Sequence, residues 1–362
     1  MPKLLKYEYG FYMGCDPEFF LKTKDKRFIV GAEKAIPLKE GLTIKSWHNA
    51  TVNSAVICDG VQAELNPSPN GCRAYVADEI KACFKHLETH LKKHTPDIVP
   101  SFVPMAKVTK KEMKSLAPQS KIFGCSPSLN TWKMPPEIPL QDIDPEKYLV
   151  RTAGGHIHIG AVHKDILSWI HNNIEIVIQM MDYVVGNTCV LLDRDPSQVE
   201  RRKTYGRAGE FRKQPWGLEY RTLSNFWLRS YQLMSFVLGL SRQTALMTKQ
   251  DHTAILNLVP TINIVNAINN NDFDLAMQNF KPIAKYISKI VPEDMSSFPL
   301  SSSTIPDFLF LVKKGIKVAF NKDILKHWTR LQDGHGIGFE SYCRNELRQK
   351  RLGLPVLETI YN

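Results

Sequence analysis

Four separated stretches of this sequence alternate polar and apolar residues with a period of two, which is the spacing of side chains on one face of a β-strand. The polar positions hold residue types that bind cations or phosphates. In chain order the pairs are Asp16 and Glu18, Gln62 and Glu64, His156 and His158, and Glu219 and Arg221. Buried carboxylates on neighbouring strands stay ionised only where cations compensate their charge. The pattern therefore predicts an antiparallel sheet that brings these side chains to one surface, where they bind divalent cations.

The first of these stretches contains a proline. Asp16 and Glu18 share a strand face only if the strand continues through Pro17, and a proline inside a strand restricts it to an edge or a bulge. Read alone, the stretch is equally consistent with an exposed edge strand whose acids are solvated. Its role as a metal site depends on the other three stretches.

The most basic segment of the chain is RRKTYGRAGEFRKQPWGLEYR, residues 201–221, with seven basic residues against Glu210 and Glu219. Guanidinium groups bind phosphate oxygens in a bidentate fashion, and glycines allow close approach of the backbone. For any single arginine, a solvated surface position is the simpler interpretation. The ensemble favours a site for a polyphosphate, because the excess charge lies beside the lone strand carboxylate Glu219.

Apolar residues at helical spacing predict three long helices, at about Gly71–His94, within Lys164–Leu192 and at Phe226–Thr248. The prolines of residues 95–150 predict an irregular segment there. From these patterns we expect a catalytic domain over residues 1–232 and a mostly helical region over residues 233–362 that packs on it.

Charge and cysteine usage restrict the class of protein only broadly. The net charge of +11 favours encounters with anions but does not identify them. Seven cysteines without a paired spacing, no signal peptide and no uncharged run of membrane-spanning length predict a cytoplasmic protein. Walker-type, HExxH and GxSxG motifs are absent from the sequence, which argues against the nucleotide-binding and hydrolase classes that use them.

Four motifs carry a resemblance to a known family: GCDPEFF (14–20), DGVQAELNPSP (59–69), GGHIHIG (154–160) and YGRAGEFRKQPWGLEYR (205–221). In this order they resemble the glutamine-synthetase-like carboxylate-amine ligases, which include glutamate-cysteine ligases, and in particular the phage and bacterial amidoligases of COOH-NH2 ligase type 2. The resemblance spans about residues 8–230. It implies an α+β fold, in which helices cover a curved antiparallel sheet that holds ATP and Mg²⁺ (or Mn²⁺). The chain departs from many relatives in having Asp16 where they have glutamate.

The resemblance also implies roles for individual residues. The implied metal ligands are Asp16, Glu18, Glu64, His156, His158 and Glu219. The implied contacts to the nucleotide are Arg151, Arg202, Arg207, Arg212 and Arg221, and the residues with a catalytic role are Glu219, Arg221 and Arg207. Either histidine is compatible with the metal site at this stage.

The implied reaction is formation of an amide bond between a carboxylate substrate and an amine substrate, through an acyl phosphate. The amine is an amino acid, a peptide or a protein, and the location is the host cytoplasm if the protein is phage-encoded. A metal-dependent phosphotransferase of similar fold is the nearest alternative. The second is a nucleic-acid-binding protein or a two-metal nuclease, which is less favoured because the basic residues lie beside the carboxylates instead of along an extended stripe. Neither the oligomeric state nor the identity of the substrates follows from the sequence.

Overall fold

We describe the fold from a computed structural model. The structure describes residues 10–290, apart from residues 26–27, 47–48, 50, 72, 125–127, 194 and 230. The predictions for residues 291–362 lie outside the described residues.

The described residues form short strands and a larger number of helical segments. The strands are β1 (Phe11–Cys15), β2 (Glu18–Thr23), β3 (Ile29–Val30), β4 (Leu42–Ile44), β5 (Ser54–Asp59), β6 (Gln62–Asn66), β7 (Ile98–Ser101), β8 (Met105–Lys107), β9 (Leu129–Asn130), β10 (Val150–Thr152), β11 (Ile157–Ala161), β12 (Glu210–Gln214) and β13 (Gly217–Tyr220). The α-helices are α1 (Arg73–His94), α2 (Lys110–Ser115), α3 (Pro118–Lys121), α4 (Lys164–Asn172), α5 (Ile174–Met181), α6 (Asn187–Leu192), α7 (Gln198–Thr204), α8 (Tyr231–Asp251), α9 (Thr253–Leu256), α10 (Thr261–Asn269) and α11 (Phe273–Ile290). Short 3₁₀ turns lie at Ala32–Lys34, Leu140–Asp142 and Asn225–Arg229, and a π-helical turn at Asp182–Gly186 joins α5 to α6.

Two antiparallel sheets carry the four predicted strand faces. One has the strand order β1-β11-β13-β12-β9, and the other has the order β3-β2-β6-β5-β4, with β7 also paired to β2. The α+β class with antiparallel sheets is thereby confirmed, and the described residues from Tyr231 to Ile290 are mostly helical. The sheet curvature typical of glutamine synthetase stays a prediction.

The expectation of one continuous strand through Pro17 is wrong. β1 ends at Cys15 in the first sheet and β2 begins at Glu18 in the second. Proline has no N–H to donate to a ladder, and it also restricts the residue before it. The ladder of β1 therefore ends at Cys15, and the chain passes from one sheet to the other across Asp16 and Pro17. The polar faces consequently meet at a junction of two sheets, rather than on one sheet.

Strand register explains how residues distant in sequence become neighbours. In the first sheet Gly14 pairs with His158, and His158 pairs with Glu219. In the second sheet Glu18 pairs directly with Glu64. Directly opposed residues of an antiparallel pair have adjacent side chains on the same face, so the two ladders set the positions of the acids and the imidazole.

Helices bury the faces of the sheets that lie away from these acids. The predicted helix at about Gly71–His94 is observed as α1, and α8 packs on α1, α5 and strands β1 and β11. The predicted boundary near residue 232 stays a prediction, although α8, which follows it, contributes to the same hydrophobic core as the strands.

The predicted helical run within Lys164–Leu192 is interrupted at Asn173, which separates α4 from the helical run Ile174–Leu192. That run is long and apolar enough to cross a membrane, but 83% of it is buried inside the protein. Its burial is that of a core helix.

Gly217, at the start of β13, provides a test of the close packing between strands. Its φ of +148° is one that L-residues rarely adopt, and a Cβ atom would lie 2.1 Å from the carbonyl oxygen of Ile159. We expect Gly217→Ala to lower the free energy of unfolding by about 1–3 kcal/mol from the backbone conformation alone, with the clash adding to this. Urea denaturation measures the effect. Gly71→Ala is the control, because its Cβ would meet no atom closer than 3.5 Å; equal losses for both variants would contradict the prediction.

Candidate active site

Two groups of cation-ligand side chains lie at the junction of the sheets. The first group is Asp16, His158 and Glu219, and the second is Glu18, Asp59 and Glu64; within each group the ligand atoms lie within 4.8 Å of one another. The first group belongs to the sheet of β1, β11 and β13, whereas the second lies entirely on β2, β5 and β6. Only Pro17 separates their first members along the chain.

The first group is held by contacts around Asp16. Its Oδ1 lies 2.9 Å from Nδ1 of His156 and 3.1 Å from Nε2 of His158. The ring of Trp216 lies against that of His158, with the centroids 4.7 Å apart. Glu219 is 1% exposed, and its Oε1 lies 3.1 Å from Nε of Arg221. A carboxylate pair and an imidazole are thus directed at the same small volume.

The second group is held by backbone contacts and a hairpin. Oε2 of Glu18 accepts the backbone N–H of Gly154 at 2.7 Å, and the amide of Asn66 donates to Oε1 of Glu64 at 2.9 Å. Asp59 ends β5 at the tight turn into β6, which returns its side chain toward the other two acids. Gly154 also has to be small, because a Cβ atom would lie 2.2 Å from Nε2 of His156.

The two groups differ in their electrostatics. Burial by itself would raise the pKa of Asp16, but His158 and His156 lower it well below its usual range. Burial raises the pKa of Glu18 to about 7, with His156 opposing and Asp59 adding to the shift. Burial, followed by repulsion from neighbouring carboxylates, raises the pKa of Glu64 well above its usual range. The protein therefore compensates little of the negative charge that the second group has when its acids are ionised, and a bound cation supplies that compensation.

Hydrogen bonds connect Arg221 to Asp16 in one direction. Nε of Arg221 donates to the hydroxyl of Tyr205 at 2.9 Å. That hydroxyl contacts Nε2 of His156, whose Nδ1 contacts Asp16. Since an ionised carboxylate can only accept, Nδ1–H donates to Asp16; in the neutral imidazole Nε2 then accepts from the hydroxyl of Tyr205, which itself accepts from Arg221. Both nitrogens of His156 are committed, so His158 is the histidine that the geometry offers to a cation.

The predicted nucleotide-binding arginines do not share one location. Arg221 is 1% exposed and donates to Ser128 at 2.9 Å, and Nη1 of Arg212 lies 3.4 Å from Oε2 of Glu219. Both lie beside the first group. Arg207 instead pairs with Glu137 at 3.3 Å.

Arg202 and Arg151 have structural partners. Arg202 donates to Asn271 at 3.1 Å, and burial followed by repulsion from Arg201 lowers its pKa to about 10. Arg151 donates to several backbone carbonyls, including those of Lys121 and Pro145. Their assignment to a nucleotide stays a prediction, with these contacts favouring a structural role for both side chains.

Sequence reasoning missed Asp59, Tyr205 and the position of Glu210. Asp59 begins the quoted motif DGVQAELNPSP but was not among the predicted ligands, although only a short turn separates it from Gln62 and Glu64. Tyr205 immediately precedes Gly206 in the basic segment, for which only the charged residues and the glycines were considered. Glu210 is 4% exposed and accepts the backbone N–H of Gly206 at 2.9 Å. A hairpin reading that followed the side chains around the turn could have found Asp59.

The donor sets fit hard divalent cations. Carboxylate oxygens dominate both groups and one imidazole joins the first, a composition that suits Mg²⁺ or Mn²⁺. None of the four cysteines that the structure describes, Cys15, Cys58, Cys83 and Cys189, belongs to either group. The residues present therefore match the cation class expected from the sequence.

Comparison with protein families gives one match. The model described as "Phage phiEco32-like COOH.NH2 ligase-type 2" matches residues 146–330, just over half of the chain. The matched range includes β11, β12 and β13, and it extends into the region beyond residue 235 that the motif resemblance left unmatched. A comparison with curated proteins found no match.

We expect Mg²⁺ or Mn²⁺ to raise the melting temperature of the protein, because a cation relieves the repulsion within both acidic groups. Asp59→Asn is expected to lose a large part of this increase, since it removes one ligand charge of the second group. Differential scanning fluorimetry at fixed ionic strength measures both effects. Asp142→Asn, an exposed acid outside the groups, is the control. If Asp59→Asn keeps the full increase, the second group is not a cation site.

The pKa of Glu18 predicts a pH dependence in the absence of divalent cations. Its pKa rises from 4.5 to about 7 on folding, so the folded state binds more protons and stability falls as pH rises between these values. The stabilisation by Mg²⁺ should grow over the same window, because the cation competes with protons at low pH. Melting curves of the parent and Glu18→Gln from pH 4.5 to pH 8 isolate this contribution. Parallel curves for the two proteins would refute it.

Proposed function

Because the chain belongs to the phage phiEco32-like COOH.NH2 ligase-type 2 family, we propose that it is an ATP- and Mg²⁺-dependent ligase that joins a carboxylate to an amine through an acyl phosphate. The observation that carries the proposal is the position of two Mg²⁺-type ligand groups on either side of Pro17, beside the buried guanidinium of Arg221. The alternative of a phosphotransferase shares these requirements and differs in its product.

The reaction has two steps. A carboxylate oxygen of the first substrate forms a bond to the γ-phosphorus of ATP, the bond from that phosphorus to the β,γ-bridging oxygen breaks, and ADP leaves. The nitrogen of the amine then forms a bond to the acyl carbon, the C–O bond to phosphate breaks, and a proton from the amine passes to the released phosphate or to solvent. An amide, ADP and inorganic phosphate are the products.

Each part of the site has a role in this proposal. Asp16, His158 and Glu219 hold one cation, and Glu18, Asp59 and Glu64 hold the other. Bound cations supply charge neutralisation at the phosphate oxygens during transfer. The site needs no nucleophilic side chain, since catalysis by positioning and electrostatics is sufficient for phosphoryl transfer.

The arginines have unequal roles. Arg221 is buried beside Glu219, and Arg212 is 29% exposed at the same carboxylate. In this proposal both side chains contact the phosphate that is transferred. Arg207 is 15% exposed and pairs with the exposed Glu137 instead of with either acidic group, so its contribution to phosphoryl transfer is smaller.

The reaction is tested by incubating the protein with ATP, Mg²⁺, hydroxylamine and a panel of carboxylic acids, including amino acids and short peptides. Hydroxylamine is a small nucleophile that converts an acyl phosphate to a hydroxamate, which mass spectrometry detects. ADP formation together with a hydroxamate supports the ligase. A stable phosphorylated product without hydroxamate would favour a phosphotransferase instead.

Arg221→Lys should slow single-turnover ADP release by about two powers of ten, with a smaller change in affinity for ATP. Lysine keeps the charge but loses the planar fork, and removal of a transition-state contact costs about 3 kcal/mol. Arg207→Lys should cost much less. The control is Lys92→Ala, a surface residue of α1 that pairs with Glu88. Equal rates for all three variants would show that Arg221 does not serve phosphoryl transfer.

A further inference from the structure

A cavity of about 640 Å³ adjoins the site. One wall is the proline-rich segment around Pro135–Pro145, with Met134, Leu140 and Ile143 contributing apolar surface, and Phe123 forms another part of the lining. Cavities of 300–1,000 Å³ with mostly apolar walls are typical of small-molecule sites. The irregular segment that the prolines predict therefore has a definite place, as one side of this cavity.

Three hydrogen bonds of Arg221 join the cavity to the site. Its Nη1 donates to Ser128, its Nε donates to Tyr205, and its backbone N–H donates to the carbonyl of Glu210, at 2.9, 2.9 and 3.0 Å. Ser128, Tyr205 and Glu210 all line the cavity. A molecule in the cavity that contacts Ser128 or Tyr205 is therefore separated by one side chain from Arg221, the residue proposed to contact the phosphate.

The charges of the lining indicate what kind of molecule fits. Among the described residues that line the cavity, Lys133 and Glu210 are the charged ones. Lys133 is exposed, whereas Glu210 is 4% exposed and held by the N–H of Gly206. A buried carboxylate disfavours a second anion and favours a group with N–H donors.

Phosphates have a better place on the other side of Glu219. Arg212 lies there and remains partly exposed, as do His158 and the ring of Trp216. Cationic groups suit the polyphosphate of a nucleotide, and the lining of the cavity offers few of them. The two sides of the site thus differ in charge in the way that two unlike substrates require.

We propose that this cavity binds the amine substrate, whose apolar or aromatic body packs against Phe123 and the prolines and whose amino group lies at Glu210 and Tyr205. The inference rests on the proposed ligase function and adds the substrate class: an amine on an apolar body, such as a peptide with an apolar residue next to its reacting amino group. Glu210 is a specificity-determining residue in this arrangement.

The test compares three probes of the same shape, 2-phenylethylamine, 2-phenylethanol and 3-phenylpropanoate, by NMR titration of the full chain at pH 8. The amine should bind about tenfold more tightly than the alcohol, because a charge-assisted hydrogen bond is worth about 1.5 kcal/mol or more, and the carboxylate should bind least. Glu210→Gln should remove the preference of the amine over the alcohol. Leu140→Trp, which fills part of the cavity without changing its charge, should weaken the binding of both the amine and the alcohol.

Ile262→Trp is the matched control, because Ile262 is 54% exposed on α10 and does not line the cavity. Equal binding of the amine and the alcohol to the parent would overturn the inference. It would also be overturned if the parent bound adenosine and Leu140→Trp abolished adenosine binding without changing the affinity for the amine. The binding experiment needs no turnover. Failure to form a hydroxamate would contradict the ligase proposal separately, so the two failures are distinguishable.

Discussion

Electrostatic repulsion among five carboxylates, Asp16, Glu18, Asp59, Glu64 and Glu219, is the constraint on which the rest of the structure depends. Such side chains separate unless the scaffold holds them. Here the backbone ladders of two sheets hold them, and the helices α1, α5 and α8 bury the opposite faces. Partial compensation comes from two imidazoles and from Arg221 at the first group, whereas the second group depends more on backbone N–H donors and burial. The packing of the sheets and helices thus holds side chains of like charge close together.

The sequence predicted the site more completely than the fold around it. A period of two places alternate side chains on one face, so the polar faces of β11 and β13 could be identified from residues alone. Which strands are neighbours depends on long-range pairing, and the pairing of Glu18 with Glu64 or of His158 with Glu219 has no local signal. Pro17 indicated from the sequence that the strand breaks there. That the chain then passes from one sheet to another can be seen only in the tertiary structure. Asp59 was missed because it is the last residue of β5, before the turn, and so lies outside the alternating run of β6 from which the ligands were predicted.

The basic segment shows a further limit of sequence reasoning. Charge along the chain predicts that arginines meet anions, but it does not say which of them point to the same place. In the structure Arg221 and Arg212 face Glu219, whereas Arg202 and Arg201 turn back to bind carbonyl and amide groups of neighbouring elements. Arg201 and Arg202 lie in α7, whereas Arg212 lies in β12 and Arg221 directly follows the paired strand β13, so these arginines belong to different elements. The same geometry separates a cation-rich side of the site from the cavity that Glu210 lines, which gives the proposed carboxylate-amine ligase unlike surfaces for unlike substrates.

The break at Pro17 has a consequence for how the protein evolves and is engineered. Each ligand group belongs to one sheet, apart from Asp16 at the end of β1, so the distance between the two groups is a property of how the sheets pack against each other. Substitutions in the hydrophobic core between α8 and the strands, far from any ligand, shift one sheet relative to the other and thereby change that distance. Adjusting the geometry of the candidate site is therefore a problem of core packing, and variants that retain every side chain of both groups can still differ in how far apart the groups lie.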